Sequence, residues 1–211
     1  MVRPAKYDSW RTDAAKDWRE DMEKAGRTVL IPDQLDQIRG MARSLAAHPL
    51  VKAGVLNGGI ELSMFWKDEE TGVWLKSRPD SVPNASGDFA DLKATDSVLD
   101  FALRQKVGNF GYYAQGALVC EGAYRLVKYP TTTFSLVFVE YDPPYCARVV
   151  TLPEADLLRG EKQNHIALRL FKRCLDANEW PGPGNADAEV IGLGDEAAKR
   201  LDARLERMEG A

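Results

Sequence analysis

What most constrains the fold of this chain is the order in which its hydrophobic periodicity changes. A charged, helix-favouring segment ends at Gly26. A second helix is predicted from Pro32, where Leu35, Ile38, Met41 and Leu45 recur at spacings of three and four and make one buried stripe. Pro49 and then Asn57-Gly58-Gly59 end that pattern. Strand-like segments take over. Ile60–Trp66 and Val73–Arg78 read as strands joined by the polar connection Lys67–Gly72, and Asp88–Lys93 reads as a third. Ser97 and Asp100 form a capping-box pattern after Asp96, which predicts helices to Lys106 and then from Phe110 to Gly122. Phe134–Tyr141 (FSLVFVEY) is a dense strand, with Arg148–Leu152 as its partner. A long helix over Pro153–Ala177 follows, then a break at Trp180–Gly184 and a short amphipathic helix. Helix, three strands, helices, two strands, helix: this order predicts an α+β fold with a mixed central sheet flanked by helices.

Composition narrows the class. The 211 residues are 45% hydrophobic and 28% charged, which excludes a disordered chain, a collagen and a membrane bundle. No stretch approaches the length of a membrane-spanning helix, and the first residues lack the apolar core of a signal peptide. The expectation is a soluble, cytoplasmic protein. Three cysteines, Cys120, Cys146 and Cys174, form no CxxC pair, which argues against zinc, iron–sulfur and disulfide frameworks. The formal charge of −4 excludes a surface that is basic all over, but not a local groove for nucleic acid. Residues 101–130 carry Arg104, Lys106, Arg125 and Lys128 against Glu121 alone, with Phe110, Tyr112, Tyr113 and Tyr124 interleaved. That stretch reads either as a DNA-lining helix pair or as a solvated helix face.

The informative chemistry lies in Arg78-Pro79-Asp80, then ten residues, then Asp91-Leu92-Lys93. Side chains alternate along a strand, so Asp91 and Lys93 project from one face. A short connection brings Asp80, at the end of the preceding strand, beside Asp91. Hard divalent cations such as Mg²⁺ or Mn²⁺ take oxygen ligands and keep several waters. Asp80, Asp91 and the backbone carbonyl of Leu92 offer such a set, and Lys93 is placed to orient water or offset charge in a transition state. The same residues also read as a solvated strand face with a turn aspartate.

The spacing P-D-(x)10-D-L-K resembles the signature of the PD-(D/E)xK nuclease superfamily. Further motifs are similar to its RecE-type exonuclease branch, the nuclease domain of exodeoxyribonuclease VIII and its phage relatives. They are Gly26-Arg27-Thr28-Val29, Glu61-x-Ser63-x-x-Trp66, Thr71-Gly72, Asp91-Leu92-Lys93-x-Thr95, Tyr112-x-x-Gln115 and Glu179-Trp180-Pro181. The resemblance implies a restriction-endonuclease-like αβββαβ core over residues 1–183, with 184–211 a linker and short C-terminal helix. It implies a Mg²⁺- or Mn²⁺-dependent DNA exonuclease that acts on duplex ends in phage-type recombination, as a homo-oligomer beside a single-strand annealing protein. Carried over by position, it implies Asp80 and Asp91 as metal ligands, Lys93 as the catalytic lysine and Gln115 as the glutamine of a Q-x-x-x-Y helix. Glu61 matches a strand acid that reaches toward the metal.

Two positions depart from the family. The tyrosine of Q-x-x-x-Y falls on Val119, with Tyr112 and Tyr124 as the available substitutes. The family's G-x-x-x-H helix, which brings a metal-binding histidine, would precede Met1. Only His48 and His165 are present, and both are expected to be structural. The alternative expectation is therefore a catalytically impaired nuclease fold that binds DNA ends or assembles with a recombination partner.

Overall fold

Proline, glycine and charge set the helix boundaries, and the computed structural model describes residues 1–7, 9–84, 86–128, 131–184 and 187–209. Helix α1 (Asp13–Lys24) carries ion pairs one turn apart, Arg19–Glu23 and Lys24–Glu20, each at 2.7 Å. Helix α2 (Pro32–Ala47) opens with proline at its first position, and Gln34 Oε1 accepts from the Ile31 N–H at 3.0 Å. Helix α3 (Pro49–Lys52) is one turn, capped by His48, whose Nδ1 accepts from the Leu50 N–H at 3.2 Å. The strands are β1 (Gly59–Ile60), β2 (Met64–Lys67), β3 (Trp74–Ser77), β4 (Ser81–Val82) and β5 (Asp88–Thr95). Helices α4 (Asp100–Asn109) and α5 (Tyr112–Val127) meet at Gly111, which sits in the left-handed region at φ 64°. Strands β6 (Thr133–Glu140) and β7 (Ala147–Thr151) precede the long helix α6 (Glu154–Ala177) and α7 (Asp195–Glu209).

The central sheet has the order β1-β4-β5-β6-β7. Strand β5 pairs with β6 in parallel, and the β1–β4, β4–β5 and β6–β7 pairs are antiparallel. Strand β6 is buried from Phe134 to Val139. Its alternation sends Phe134, Leu136 and Phe138 into one core together with Phe89, Leu103, Val119 and Leu152. Helix α5 covers that face, since a Cβ on Gly116 would lie 2.8 Å from the Phe134 ring. Helix α2 lies against β6 and β7. Contacts divide the chain into two units, Met1–Lys172 and Arg173–Ala211. The first holds the sheet and the helices through most of α6. The second holds the end of α6 and the amphipathic α7. No helix among the described residues is long and apolar enough to cross a membrane.

The fold is the mixed sheet with flanking helices that the element order predicts, with three local corrections. Of the first two predicted strands, only Ile60 joins the central sheet. Glu61 takes φ 48°, which ends β1 after Ile60 and sends the chain into the separate hairpin β2–β3. On the far side, fully buried Pro79 supplies no N–H for a ladder, so the hairpin strand ends at Ser77 and the chain re-enters the central sheet as β4. The predicted capping box is absent: Ser97 Oγ accepts from the Leu99 N–H in a turn, and α4 starts at Asp100. Ile38, predicted in the buried stripe of α2, is 47% exposed, while Gly40 is the buried position.

Helices α5 and α6 cross at Gly160. A Cβ there would lie 2.5 Å from the Tyr113 carbonyl oxygen, and Asn164 Nδ2 donates to the Ala114 carbonyl beside it at 2.9 Å. Gly160→Ala is expected to destabilise the protein in urea unfolding. The helix-propensity gain of roughly 1 kcal/mol is smaller than the cost of pushing backbone apart, about 1–3 kcal/mol. A net gain in stability would refute the close crossing.

Candidate active site

The site is built by extending two strand registers by one residue. Ser81 faces Ala90 across β4–β5, so Asp80 faces Asp91, and Ile60 faces Ser81 across β1–β4, so Glu61 faces Asp80. Hydrogen bonds fix that row. The Glu61 N–H donates to the Asp80 carbonyl at 3.1 Å, and the Asp80 N–H donates to Asp91 Oδ1 at 3.2 Å. Asp80 Oδ2 in turn accepts from the Leu92 N–H at 2.7 Å. A strand residue sends its N–H and C=O to the same side, so the Leu92 carbonyl faces the Asp80 edge too.

Asp91 and Lys93 lie opposite Leu136 and Phe138 of β6, on the face that α5 covers. Asp91 is 2% exposed, which rules out the solvated-strand reading of this segment. Its Oδ2 accepts from Gln115 Nε2 of α5 at 2.9 Å and forms an ion pair with Lys93 Nζ. The Lys93 ammonium also lies 5.0 Å from the centre of the Tyr112 ring. Thus Asp80, Asp91, Lys93 and Gln115 are brought together, and Tyr112, one turn before Gln115, occupies the aromatic place beside the lysine. Val119 is core at 1% exposure, and Tyr124 is 55% exposed. Glu61 shares the backbone row, but its carboxylate turns to Arg78, 3.7 Å away. His48 is occupied as the α3 cap, and His165 lies with Glu121 on α5. Of the basic residues read either as a DNA lining or as a solvated helix face, Lys106 pairs with Asp96 and Arg125 with Glu69.

Burial pushes the Asp80 carboxyl above the usual carboxylate range, and the negative charge of Asp91 adds to this, against the Leu92 N–H, which stabilises the anion. Two adjacent carboxylates with one shared ammonium are a site short of positive charge. The donor set, two carboxylates and a backbone carbonyl with no sulfur, therefore fits a hard divalent cation.

Against known proteins, the chain matches the sequence model of a family described as "PDDEXK-like domain of unknown function (DUF3799)" over residues 5–190. Among solved structures it is similar to a "putative exonuclease" from Eubacterium rectale at 15% identity and a TM-score of 0.56. That match covers 82% of this chain and 71% of the other. No curated protein matches it in sequence.

Proposed function

The chain belongs to the family of PDDEXK-like domains, and from that premise we propose that it is a divalent-metal-dependent deoxyribonuclease that trims the ends of duplex DNA. The observation that carries this reading is the convergence of Asp80, Asp91, Lys93 and Gln115 beside the middle of β5. The exonuclease wording attached to the Eubacterium rectale structure supports the choice of activity. The RecE-type motifs support duplex ends as the substrate.

Asp80, Asp91 and the Leu92 carbonyl are the residues that would hold Mg²⁺ or Mn²⁺, and a bound ion would supply positive charge to a phosphodiester and acidify water near it. The chain's own groups do the rest. Gln115 and Lys93 hold Asp91 Oδ2, which fixes the carboxylate's orientation against Asp80. Lys93, held over Tyr112, offers protons toward the space that Asp80 and Asp91 face. From there it orients a water for in-line attack and offsets charge as it grows on the phosphate. Burial excludes competing solvent from the Asp91 side.

The test uses linear and covalently closed duplex DNA with Mg²⁺ or Mn²⁺. The expected result is loss of the linear substrate only, stopped by a chelator. Digestion that survives chelation would reject the metal-dependent reading, and equal digestion of closed circles would reject the end-trimming one. A second reading, a catalytically impaired fold that binds DNA ends, is favoured by the placement of both histidines away from Asp80 and Asp91. It predicts retained affinity for DNA ends with no heat of Mn²⁺ binding at millimolar concentration.

A further inference from the structure

We propose that Asp68, Glu121 and His165 form a second metal site, specific for a borderline divalent ion such as Zn²⁺, which ties the hairpin β2–β3 to helices α5 and α6. Each of the three offers one ligand atom, and these atoms lie within 4.8 Å of one another. Asp68 begins the hairpin connection and is 5% exposed. Glu121 is on α5, with its side chain 10% exposed, and His165 is on α6. His165 Nε2 lies 3.6 Å from Glu121 Oε2, too far for a good hydrogen bond.

The second observation is independent of the clustering. Glu121 Oε1 and His165 Nε2 are both buried, and among the described residues neither has a hydrogen-bond partner. Buried polar atoms are otherwise paired almost without exception, so two orphans in one cluster point to a missing partner that accepts lone pairs. A divalent cation does so, held by the carboxylate oxygen and the imidazole nitrogen together. Glu121 has Arg125 Nε at 3.8 Å, but that guanidinium makes its close contact with Glu69, at 2.5 Å. Asp68 shows the supporting bonds expected of a ligating carboxylate: its Oδ2 accepts from the Thr71 N–H at 2.7 Å and from the Thr71 hydroxyl at 2.6 Å.

The donor set selects the ion. One imidazole nitrogen with two carboxylates suits Zn²⁺, whereas Mg²⁺ prefers oxygen donors and keeps its waters. Three protein ligands leave a coordination position open, and Glu121 and His165 border a cavity of about 640 Å³ that gives an entry path. The site is distinct from the Asp80–Asp91 pair. Gln115 and Glu121 are six positions apart on α5, about 9 Å along the helix axis. The proposal does not depend on the nuclease reading.

The test is Zn²⁺ titration by calorimetry, with thermal unfolding beside it, on metal-stripped full-length protein carrying Asp80→Asn to disable the other pair. One Zn²⁺ per chain and a raised Tm are expected. Glu121→Gln and Asp68→Asn, which preserve side-chain shape, should each weaken binding on the order of 100-fold and remove the rise in Tm, as should His165→Ala. Co²⁺ should give a visible spectrum with a nitrogen ligand that His165→Ala abolishes. Absence of Zn²⁺ binding, binding unchanged in Glu121→Gln, or equal affinity for Mg²⁺ would each overturn the assignment.

Discussion

Lys93→Ala is expected to lower the rate of phosphodiester hydrolysis by about two to four orders of magnitude, with DNA binding far less affected. Lys93 is held by three features at once. The alternation of β5 puts it on the face of Asp91, the α5 helix brings Tyr112 against it, and Asp91 is its ion-pair partner. With 20% of its side chain exposed, it is neither a surface lysine nor sealed in the core. Removing it takes away the ammonium that offsets the two carboxylates. The loss should therefore appear in kcat rather than in KM. Lys93→Arg should not restore the rate, because a planar guanidinium is not interchangeable with a compact ammonium at a packed position. Unfolding must be excluded as the cause, since Asp91 at 2% exposure keeps only Gln115 and the Asp80 N–H in the variant. Near-ultraviolet circular dichroism checks this. A folded Lys93→Ala protein that digests DNA at the parental rate would end the proposed role.

The residues most legible in the sequence are those whose neighbours lie within one strand or one turn. Asp91 and Lys93 share a face because strands alternate. Tyr112 and Gln115 share one because they lie three residues apart on a helix. Pro79 carries a weaker signal: it cannot extend a ladder, and the predicted strand to Arg78 in fact stops at Ser77, with Asp80 just before β4. The two-residue strands β1 and β4 were not legible, because two residues carry no period. The separate hairpin was not legible either, because it follows from a left-handed backbone at Glu61 that no local pattern dictates. The cluster of Asp68, Glu121 and His165 is the extreme case. Its members come from a hairpin loop and two helices, and only the packing of α5 against α6 and Trp66 brings them together. The glycines that permit this packing, Gly122 against the Trp66 ring and Gly160 against the Tyr113 backbone, are visible in sequence but read as ordinary helix glycines. His165, expected to be merely structural, is the residue whose place in the fold changes its meaning.

Phe138→Ala should be the most damaging core substitution, with a loss of about 3–5 kcal/mol in denaturant unfolding. At roughly 2–4 °C per kcal/mol for a chain of this size, Tm should fall on the order of 10 °C. Phe138 is fully buried on the parallel seam of β5 and β6, directly opposite Lys93 on β5 and Arg148 on β7. Its ring centre lies 6.1 Å from that of Tyr112, in a tilted pair. A cavity at this point cannot be filled from β5, because that neighbour's side chain is Lys93, committed to Asp91. Collapse must instead come from Tyr112, and any inward shift of that ring withdraws the surface over which the Lys93 ammonium sits. Stability and catalysis are therefore expected to fall together, with activity per folded molecule reduced as well as the folded fraction. Phe101→Ala is the control: at 65% exposure it should change stability by no more than about 0.5 kcal/mol. A Phe138→Ala protein that loses less than about 1 kcal/mol, or that keeps full activity per folded molecule, would show that the site does not rest on this part of the core.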